Sequence, residues 1–385
     1  MSRTPLAWRN LMHERPRTLV AVAGVAFAVT LIFVQLGFFV AVRRTATLVY
    51  DHLDFDLALL SVEYLDLNRP GAVPRDRLVA ARALPAVRDV LPLAVGIHGW
   101  RNPEDPLRRR RNLLILAVDP NDPPFRHPEL TPERVALLHR PGAVFLDRLS
   151  HPNFGRHIAA GETETDLGLE RVRVEGRFTL GSGFAADGLV VTGLRTFADV
   201  LGPPAGEQVS LGLIQLAGDA DPDSARRAAD RLRALLPGDV KVLTRGELED
   251  QERTTWVWKR SLGKIFVMGL AIAFLVGVVF VYQVIASDIG ARLGEYATLK
   301  AMGYSDAYLG GVVLQQAVLL ALFGFVPGVA AAAGLYFLMR LLANLPVSLS
   351  GPMVGFVLGL TVAMCCLSGL FALRKVRSAD PADLF

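Results

Sequence analysis

Histidines and paired carboxylates are the residue types in this chain from which metal or acid–base chemistry would be expected. His151 and His157 lie six residues apart in a loop-like stretch. That spacing is more typical of a solvated loop than of a metal site. Glu162 and Glu164 also lie in a polar loop, where nothing marks them as an acid and base pair. The sequence therefore predicts no catalytic residues and no metal site.

Motifs for phosphate binding and for hydrolysis are missing from the sequence. It contains no G-x-x-x-x-G-K-[ST] loop, no G-x-S-x-G elbow and no H-E-x-x-H pair. Gly263 and Lys264 are followed by Ile265 and lack the rest of the phosphate loop. Cys365 and Cys366 are helical neighbours that point about 100° apart, so they do not bridge each other. We expect this chain to bind no cofactor.

The most informative pattern lies in one polar segment between two apolar runs. Residues 287–306 read SDIGARLGEYATLKAMGYSD, and their apolar positions recur at the spacing of a short amphipathic helix on a membrane surface. The residues of this pattern are Ile289, Arg292, Leu293, Glu295, Tyr296, Leu299 and Lys300, with Gly303 as a C-terminal cap. On pattern alone, a plain interhelical loop is the favoured interpretation, and the amphipathic helix is the alternative.

The chain contains four apolar runs, and the second and third of them flank this segment. The chain is 52% hydrophobic and 20% charged, against about 25% charge in a typical soluble protein. A membrane-crossing helix needs about 20 apolar residues. The predicted membrane helices are 18–42, 261–287, 307–341 and 354–373. Pro327 predicts a tilted or kinked third helix; a helix ending near Phe325 with a re-entrant piece is the alternative.

Basic residues at the ends of the apolar runs predict the orientation in the membrane. The leader, residues 1–17, carries four arginines, and the tail, residues 374–385, begins with three basic residues among its first four. The positive-inside rule therefore places both termini and the segment 288–306 in the cytoplasm, with an uncleaved first helix. Residues 43–260 and the short link 342–353 are then outside. The chain is predicted to be a multi-pass membrane protein.

The large outer segment reads as an α+β domain of its own. Strand-like apolar runs are 56–62, 112–118, 143–146, 172–180, 188–192, 209–216 and 240–244, and helical periodicity covers 75–84, 131–138 and 223–236. Residues 42–53 and 247–264 contain no helix breaker such as proline. We expect them to be helical stalks that continue the first and second membrane helices outward.

Small residues recur at four-residue spacing on two of the predicted membrane helices. Gly269, Ala273 and Gly277 share one face of the second helix, and Gly355 and Gly359 share one face of the fourth. This spacing allows close helix approach. Packing within one monomer and a seam between two monomers are equally compatible with it.

A family resemblance now follows from the order of a short basic leader, one span, a large outer domain and three further spans. This order resembles the MacB/FtsX class of ABC-transporter permeases. The segment 289–303 is similar to that class's R-x-x-E-[IY]-x-x-[LM]-[RK]-A-x-G stretch. The matching residues are Arg292, Glu295, Tyr296, Leu299, Lys300, Ala301 and Gly303. The N-terminal PLAWRNL and the C-terminal ADPADL resemble the DevC branch of the class.

The resemblance implies a homodimer of permeases in the bacterial inner membrane, docked on a separate cytoplasmic P-loop ATPase, which would bind the ATP. The segment 292–303 would couple the two proteins. A periplasmic adaptor and an outer-membrane channel would complete an efflux system that works by mechanotransmission. In this reading the chain is not an enzyme. Scattered arginines without interleaved aromatics argue against nucleic-acid binding, and membrane spans without internal charge favour a lipid-like or envelope cargo.

Other functions share the same features. One alternative is a lipoprotein-releasing permease. A second is an FtsX-like transmembrane transducer that activates a periplasmic cell-wall hydrolase, although such proteins have a smaller outer domain. A third is a membrane receptor or scaffold that uses no ATPase.

Overall fold

The computed structural model of the chain describes residues 15–105, 107, 109–155, 158–181, 183, 186–202, 207–218, 221–291, 294, 298, 302, 304–343 and 347–377. The chain divides into two compact units. One consists of Met1–Ala41 and Gly263–Phe385 and is called the membrane unit here. The other consists of Val42–Leu262 and is called the outer unit.

Helices and strands are numbered separately along the chain. The helices are α1 (Arg15–Thr45), α2 (Leu48–Asp51), α3 (Arg75–Arg82), α4 (Pro132–Val135), α5 (Leu194–Leu201), α6 (Pro222–Leu235), α7 (Arg245–Thr254), α8 (Ser261–Ala291), α9 (Asp306–Ala343) and α10 (Gly351–Arg377). The strands are β1 (Leu57–Ser61), β2 (Val73–Pro74), β3 (Val87–Arg101), β4 (Arg110–Val118), β5 (Ala143–Asp147), β6 (Glu164–Leu167), β7 (Glu170–Phe178), β8 (Leu189–Gly193), β9 (Gln208–Val209), β10 (Leu211–Leu216) and β11 (Val240–Thr244). Short 3-10 turns cover Ala136–His139 and Pro152–Phe154, and a π-helical turn covers Thr255–Lys259.

Four helices of the described residues are long and apolar enough to cross a membrane. Their candidate spans are Thr18–Thr45, Ser261–Ser287, Gly310–Leu341 and Gly351–Ala372. The predicted fold class, four membrane helices with a mixed α and β domain between the first and second, is therefore confirmed. Helix α9 continues through Pro327, so the re-entrant alternative for this segment is wrong.

Glycines let the helices of the membrane unit pack closely. A Cβ atom on Gly324 would lie 2.4 Å from the Cβ of Val25, and one on Gly328 would lie 2.7 Å from the Cβ of Val29. The hydroxyl of Thr30 donates to the carbonyl of Gly328 at 3.2 Å. Helices α1 and α9 thus approach along a glycine face, as small residues permit in membranes.

The outer unit is built on one long mixed sheet. Its strand order is β11-β1-β10-β3-β4-β8-β5-β7-β6, and β2 pairs separately with β9. Most neighbouring strands are antiparallel, while β4–β8 and β5–β7 are parallel. The strands and the helices between them confirm the expected mixture of α and β structure.

Both faces of this sheet are buried, which explains why its strands read as continuous apolar runs. In β1, Ala58 and Leu60 belong to one core cluster while Leu57 and Leu59 belong to another. The strand β4 is buried on both faces in the same way. Side chains alternate along a strand, so burying both faces requires apolar residues at successive positions.

The helix ends of the outer unit follow local capping chemistry. At α6, the Asp221 side chain accepts a hydrogen bond from the Ser224 amide. At α7, Thr244 and Glu247 form a capping box. Such caps satisfy amide groups that have no partner inside the helix.

The two stalks differ from the continuous helices that were expected. Helix α1 ends at Thr45, and the short helix α2 begins only at Leu48. Helix α7 passes into the π-helical turn, and Arg260 then adopts an extended backbone with φ −80° and ψ 151° before α8 begins. Neither stretch is therefore one continuous helix.

Candidate functional site

The predicted coupling residues lie outside the residues that the structure describes. They are Arg292, Glu295, Tyr296, Leu299, Lys300 and Gly303. Between Ala291 and Asp306, the described residues include Gly294, Thr298 and Met302. The hydroxyl of Thr298 donates to the carbonyl of Gly294 at 2.8 Å, and the amide of Met302 donates to the carbonyl of Thr298 at 3.0 Å. This i to i+4 spacing is that of a helical turn.

The small residues of the second membrane helix face other helices of the same unit. A Cβ atom on Gly269 would lie 2.6 Å from the Gln35 side chain of α1. One on Gly277 would lie 2.1 Å from the sulfur of Met364 in α10 and 3.0 Å from the Cβ of Ala28. Ala273, between the two glycines, is buried. Packing within one monomer accounts for this face.

The small residues of the fourth membrane helix have a different environment. A Cβ atom on Gly355 or Gly359 would meet nothing within 4 Å. Both residues are exposed on α10, next to Phe356, which is 54% exposed. Contacts within the described residues therefore do not account for this face, and its role as a seam between monomers stays a prediction.

A hydrogen-bonded cluster in the outer unit joins α2, the loop after β1 and the end of α7. We call it the junction and define it by Tyr50, Tyr64, Asp66, Glu252 and Arg260. The hydroxyl of Tyr50 lies 2.5 Å from that of Tyr64 and donates to Oε1 of Glu252 at 3.0 Å. The hydroxyl of Tyr64 also donates to Glu252. Tyr50 and Tyr64 lie 202 and 188 positions before Glu252 in the sequence, and both bind its carboxyl group.

Burial decides the electrostatics of the junction. Glu252 is fully buried, and burial is the main reason why its pKa rises from 4.5 to about 7. The hydroxyls of Tyr64 and Tyr50 oppose this rise in pKa because they favour the ionised carboxylate. The pKa values of both tyrosines are also raised well above 10, chiefly by burial.

The second half of the junction is an ion pair. The guanidinium of Arg260 donates from Nε and from Nη2 to the two carboxylate oxygens of Asp66, each at 2.8 Å. Asp66 is only 1% exposed. Arg260 also lies over the Trp256 ring at 5.5 Å from its centroid. This pair ties the loop after β1 to the backbone break that precedes the second membrane helix.

Sequence reasoning did not identify any junction residue as a site residue. Glu252 lies in the polar stretch LEDQERT, where a buried glutamate looks like its exposed neighbours. The only local signal was that residues 42–53 and 247–264, which contain Tyr50, Glu252 and Arg260, adjoin the membrane helices in sequence. Within the described residues, no group of three or more His, Cys, Asp or Glu could hold a metal ion.

Comparisons with known proteins find a family match in the C-terminal part of the chain. Residues 267–381 match the FtsX-like permease C-terminal family. One similar solved structure is the extracellular domain of the noncanonic ABC-type transporter YknZ from Gram-positive bacteria, at 13% identity and a TM-score of 0.34, covering 49% of this chain and 98% of that chain. Another is the periplasmic region of MacB from Actinobacillus actinomycetemcomitans, at 10% identity and a TM-score of 0.37, covering 54% of this chain and 94% of that one. No curated protein matches the chain.

Proposed function

We propose that the chain is the membrane subunit of an ABC-type export system, because its residues 267–381 match the FtsX-like permease C-terminal family. In this proposal, a separate cytoplasmic ATPase binds and hydrolyses the ATP. The family match carries the proposal, because it covers most of α8, the whole segment between α8 and α9, and helices α9 and α10.

The segment between α8 and α9 is the proposed contact with the ATPase. It offers Arg292, Glu295 and Lys300 as charged groups, on a pattern that suits an amphipathic helix. The helical hydrogen bonds at Gly294, Thr298 and Met302 favour this reading over a plain loop. A movement of the ATPase would reach α8 and α9 directly, because the segment is covalently continuous with both.

The outer unit is the proposed output of that movement. Two chain connections join it to the membrane helices, and the junction binds those two connections to each other. A nucleotide-dependent partner would thus bias a two-state element, and packed helices would carry the change across the bilayer. We propose that the outer unit in turn meets a periplasmic adaptor and an outer-membrane channel, and that the permease works as a homodimer with both termini in the cytoplasm.

The proposed cargo is a lipid-like or envelope component. Each of the four spans has an 18-residue window with two or fewer Asp, Glu, Lys or Arg. Arg340 lies in the last turn of α9, a place where a long side chain can reach the interface. Hydrophilic transport routes through a membrane usually carry ionisable residues, so a cargo handled outside the spans or alongside lipid fits better. Trp258, 57% exposed shortly before the second span, suits the lipid headgroup region.

A charge reversal in the coupling segment tests this function. We expect the wild-type chain, purified from its own host in mild detergent, to bring down a protein with a G-x-x-x-x-G-K-[ST] loop and with ATPase activity. Glu295→Arg places a positive charge three residues after Arg292 in the sequence and should abolish that co-purification. Mass spectrometry of the eluate and an ATPase assay measure the two effects.

Glu170→Arg is the matched control. Glu170 is exposed at the start of β7 in the outer unit, so the same charge reversal there should leave the ATPase bound. If the wild-type chain retains no P-loop ATPase under these conditions, the transport function is wrong and a receptor or scaffold takes its place. Equal retention by Glu295→Arg would reject the coupling role of that residue.

A further inference from the structure

The carboxyl group of Glu252 is enclosed by three separate segments of the outer unit. Tyr50 reaches it from α2, Tyr64 reaches it from the loop after β1, and Glu252 itself belongs to α7. Tyr50 is fully buried and Tyr64 is 2% exposed, so water does not replace either hydroxyl. This one carboxyl group therefore holds together the segments that follow the first membrane helix and precede the second.

Burial of this carboxyl group disfavours a negative charge and outweighs the two tyrosine donors, which favour one. Among the described residues, no Lys, Arg or His forms an ion pair with Glu252. The acidic neighbour Asp66 raises the pKa of Glu252 further, while the Trp256 side chain opposes that rise. A buried carboxylate without a cation is costly, and the group takes up a proton instead.

Other charged groups around the junction are committed to partners of their own. Lys241 on β11 donates from Nζ to the backbone carbonyl of Tyr64 at 3.1 Å, and burial lowers its pKa. On α7, Glu249 forms ion pairs with Arg245 and with Arg253, each at 3.1 Å. The Asp66 charge is matched by Arg260. None of these cations replaces the missing counter-charge of Glu252.

We propose that Glu252 is a proton-dependent latch between the two connections of the outer unit to the membrane. The protonated carboxyl group accepts from the tyrosine hydroxyls while remaining uncharged, and the junction stays closed. When the proton leaves to water, the carboxylate gains by reaching solvent, and α7 separates more readily from Tyr50 and Tyr64. A neutral to alkaline environment therefore loosens the junction, and an acidic one tightens it.

This latch goes beyond the transport function and does not depend on it. It would make the coupling between the first and second membrane helices sensitive to the pH on the side of the outer unit. It acts in the chain alone, without ATP, partner or cargo. A chain that failed to bind an ATPase could still show it.

Hydrogen exchange of the full-length chain in nanodiscs tests the latch. After correction for the intrinsic pH dependence of amide exchange, we expect the protection of α7 and α2 amides to fall about tenfold between about pH 6 and about pH 8. The closed junction holds the Glu252 proton more tightly than the open one, so the closed state loses stability as that proton leaves. Glu252→Gln keeps a hydrogen-bonding side chain of the same shape that cannot ionise. In this variant, the protection of the α7 and α2 amides should stay the same between about pH 6 and about pH 8.

Two further variants separate titration from a loss of structure. Tyr64→Phe removes a donor that favours the ionised carboxylate, so the midpoint of the transition should move to higher pH. Glu249→Gln removes a carboxylate from the same helix and should leave the wild-type pH profile unchanged. The amides of α6 provide an internal reference in every sample.

Two outcomes would overturn the latch. One is a wild-type profile that stays flat from about pH 6 to about pH 8 after the intrinsic correction. The other is a pH dependence that survives in Glu252→Gln or disappears in Glu249→Gln, because another group would then be titrating. A uniform loss of protection in Tyr64→Phe, with no change of midpoint, would reduce that hydroxyl to a structural contact and reject its part in the latch.

Discussion

Replacement of Arg260 by methionine is expected to lower the free energy of unfolding of the outer unit by about 3 kcal/mol. Asp66, which is 1% exposed, would keep its negative charge after losing the bidentate hydrogen bonds from the Arg260 guanidinium. The Arg260 side chain is 29% exposed. The loss of stability should therefore lie near the lower end of the range measured when one partner of a buried ion pair is removed. In a thermal scan of the full chain, followed by tryptophan fluorescence, the midpoint should fall by about 6–10 °C.

An exposed ion pair on the same unit provides the control. Arg226 and Asp223 lie 3.8 Å apart, with side chains 73% and 76% exposed. Arg226→Met should change the free energy of unfolding by at most about 0.5 kcal/mol. The double variant Arg260→Met with Asp66→Asn should recover much of the loss, because no orphaned charge remains. If the double variant is as unstable as the single one, lost packing over Trp256 explains the effect instead.

The Arg260 pair also explains why the predicted second stalk is not one continuous helix. The stretch 247–264 contains no proline, and its composition alone suits an uninterrupted helix. In the structure, the amide of Arg260 donates to the carbonyl of Thr255 at 2.8 Å, five residues back, which is π-helical spacing. Its side chain meanwhile reaches Asp66, 194 residues earlier. A tertiary contact of that range outweighs local helix propensity and leaves no local trace in the sequence.

The membrane helices were the most predictable part of the chain because their signal is local. About 20 consecutive apolar residues identify a span regardless of what surrounds it. The candidate spans of the structure overlap all four predicted runs, and Pro327 lies inside α9 as expected for a proline-containing membrane helix. Which faces of these helices meet each other depends on the other helices, so the sequence could not separate the packed face at Gly277 from the open face at Gly359.

The sheet was predictable where its strands are uniformly apolar. The predicted runs 143–146, 188–192 and 240–244 fall on β5, β8 and β11 almost residue for residue. Strand β3, the longest in the sheet, was missed. It contains Pro92, Gly96 and Gly99, which ordinarily argue against a strand. Pro92 is tolerated because it lies one residue before the pairing with β4 begins at Leu93, so β3 has a single neighbour there.

The junction was beyond local sequence reasoning for a different reason. Burial of Glu252 follows from Tyr50 and Tyr64, which are more than 180 residues away and become neighbours only when β1 pairs with β11. Nothing in the composition of α7 separates this glutamate from Glu249, which is ion-paired and partly exposed. The proton affinity of a side chain depends on its tertiary environment, so a site of this kind emerges only with the fold.

Substitution of Gly324 by valine is expected to separate α1 from α9 and to destabilise the membrane unit by about 1–3 kcal/mol. An added Cβ would lie 2.4 Å from both Cβ and Cγ1 of Val25 and 3.3 Å from the amide nitrogen of Ala26. The Cβ of Val25 is fixed to the backbone and cannot rotate away, so one helix must move. The measurement is the midpoint of thermal unfolding of the membrane unit in detergent, detected by its resistance to proteolysis at each temperature.

Gly334→Val in the same helix is the matched control. An added Cβ at Gly334 meets nothing within 4 Å, so the same change in volume and in helix propensity occurs without a clash. A lower stability of Gly324→Val relative to Gly334→Val therefore measures the close approach of α1 and α9 alone. Equal stability of the two variants would mean that the helices reach no closer at Gly324 than at an open site, and the glycine face between α1 and α9 would not be a packing contact.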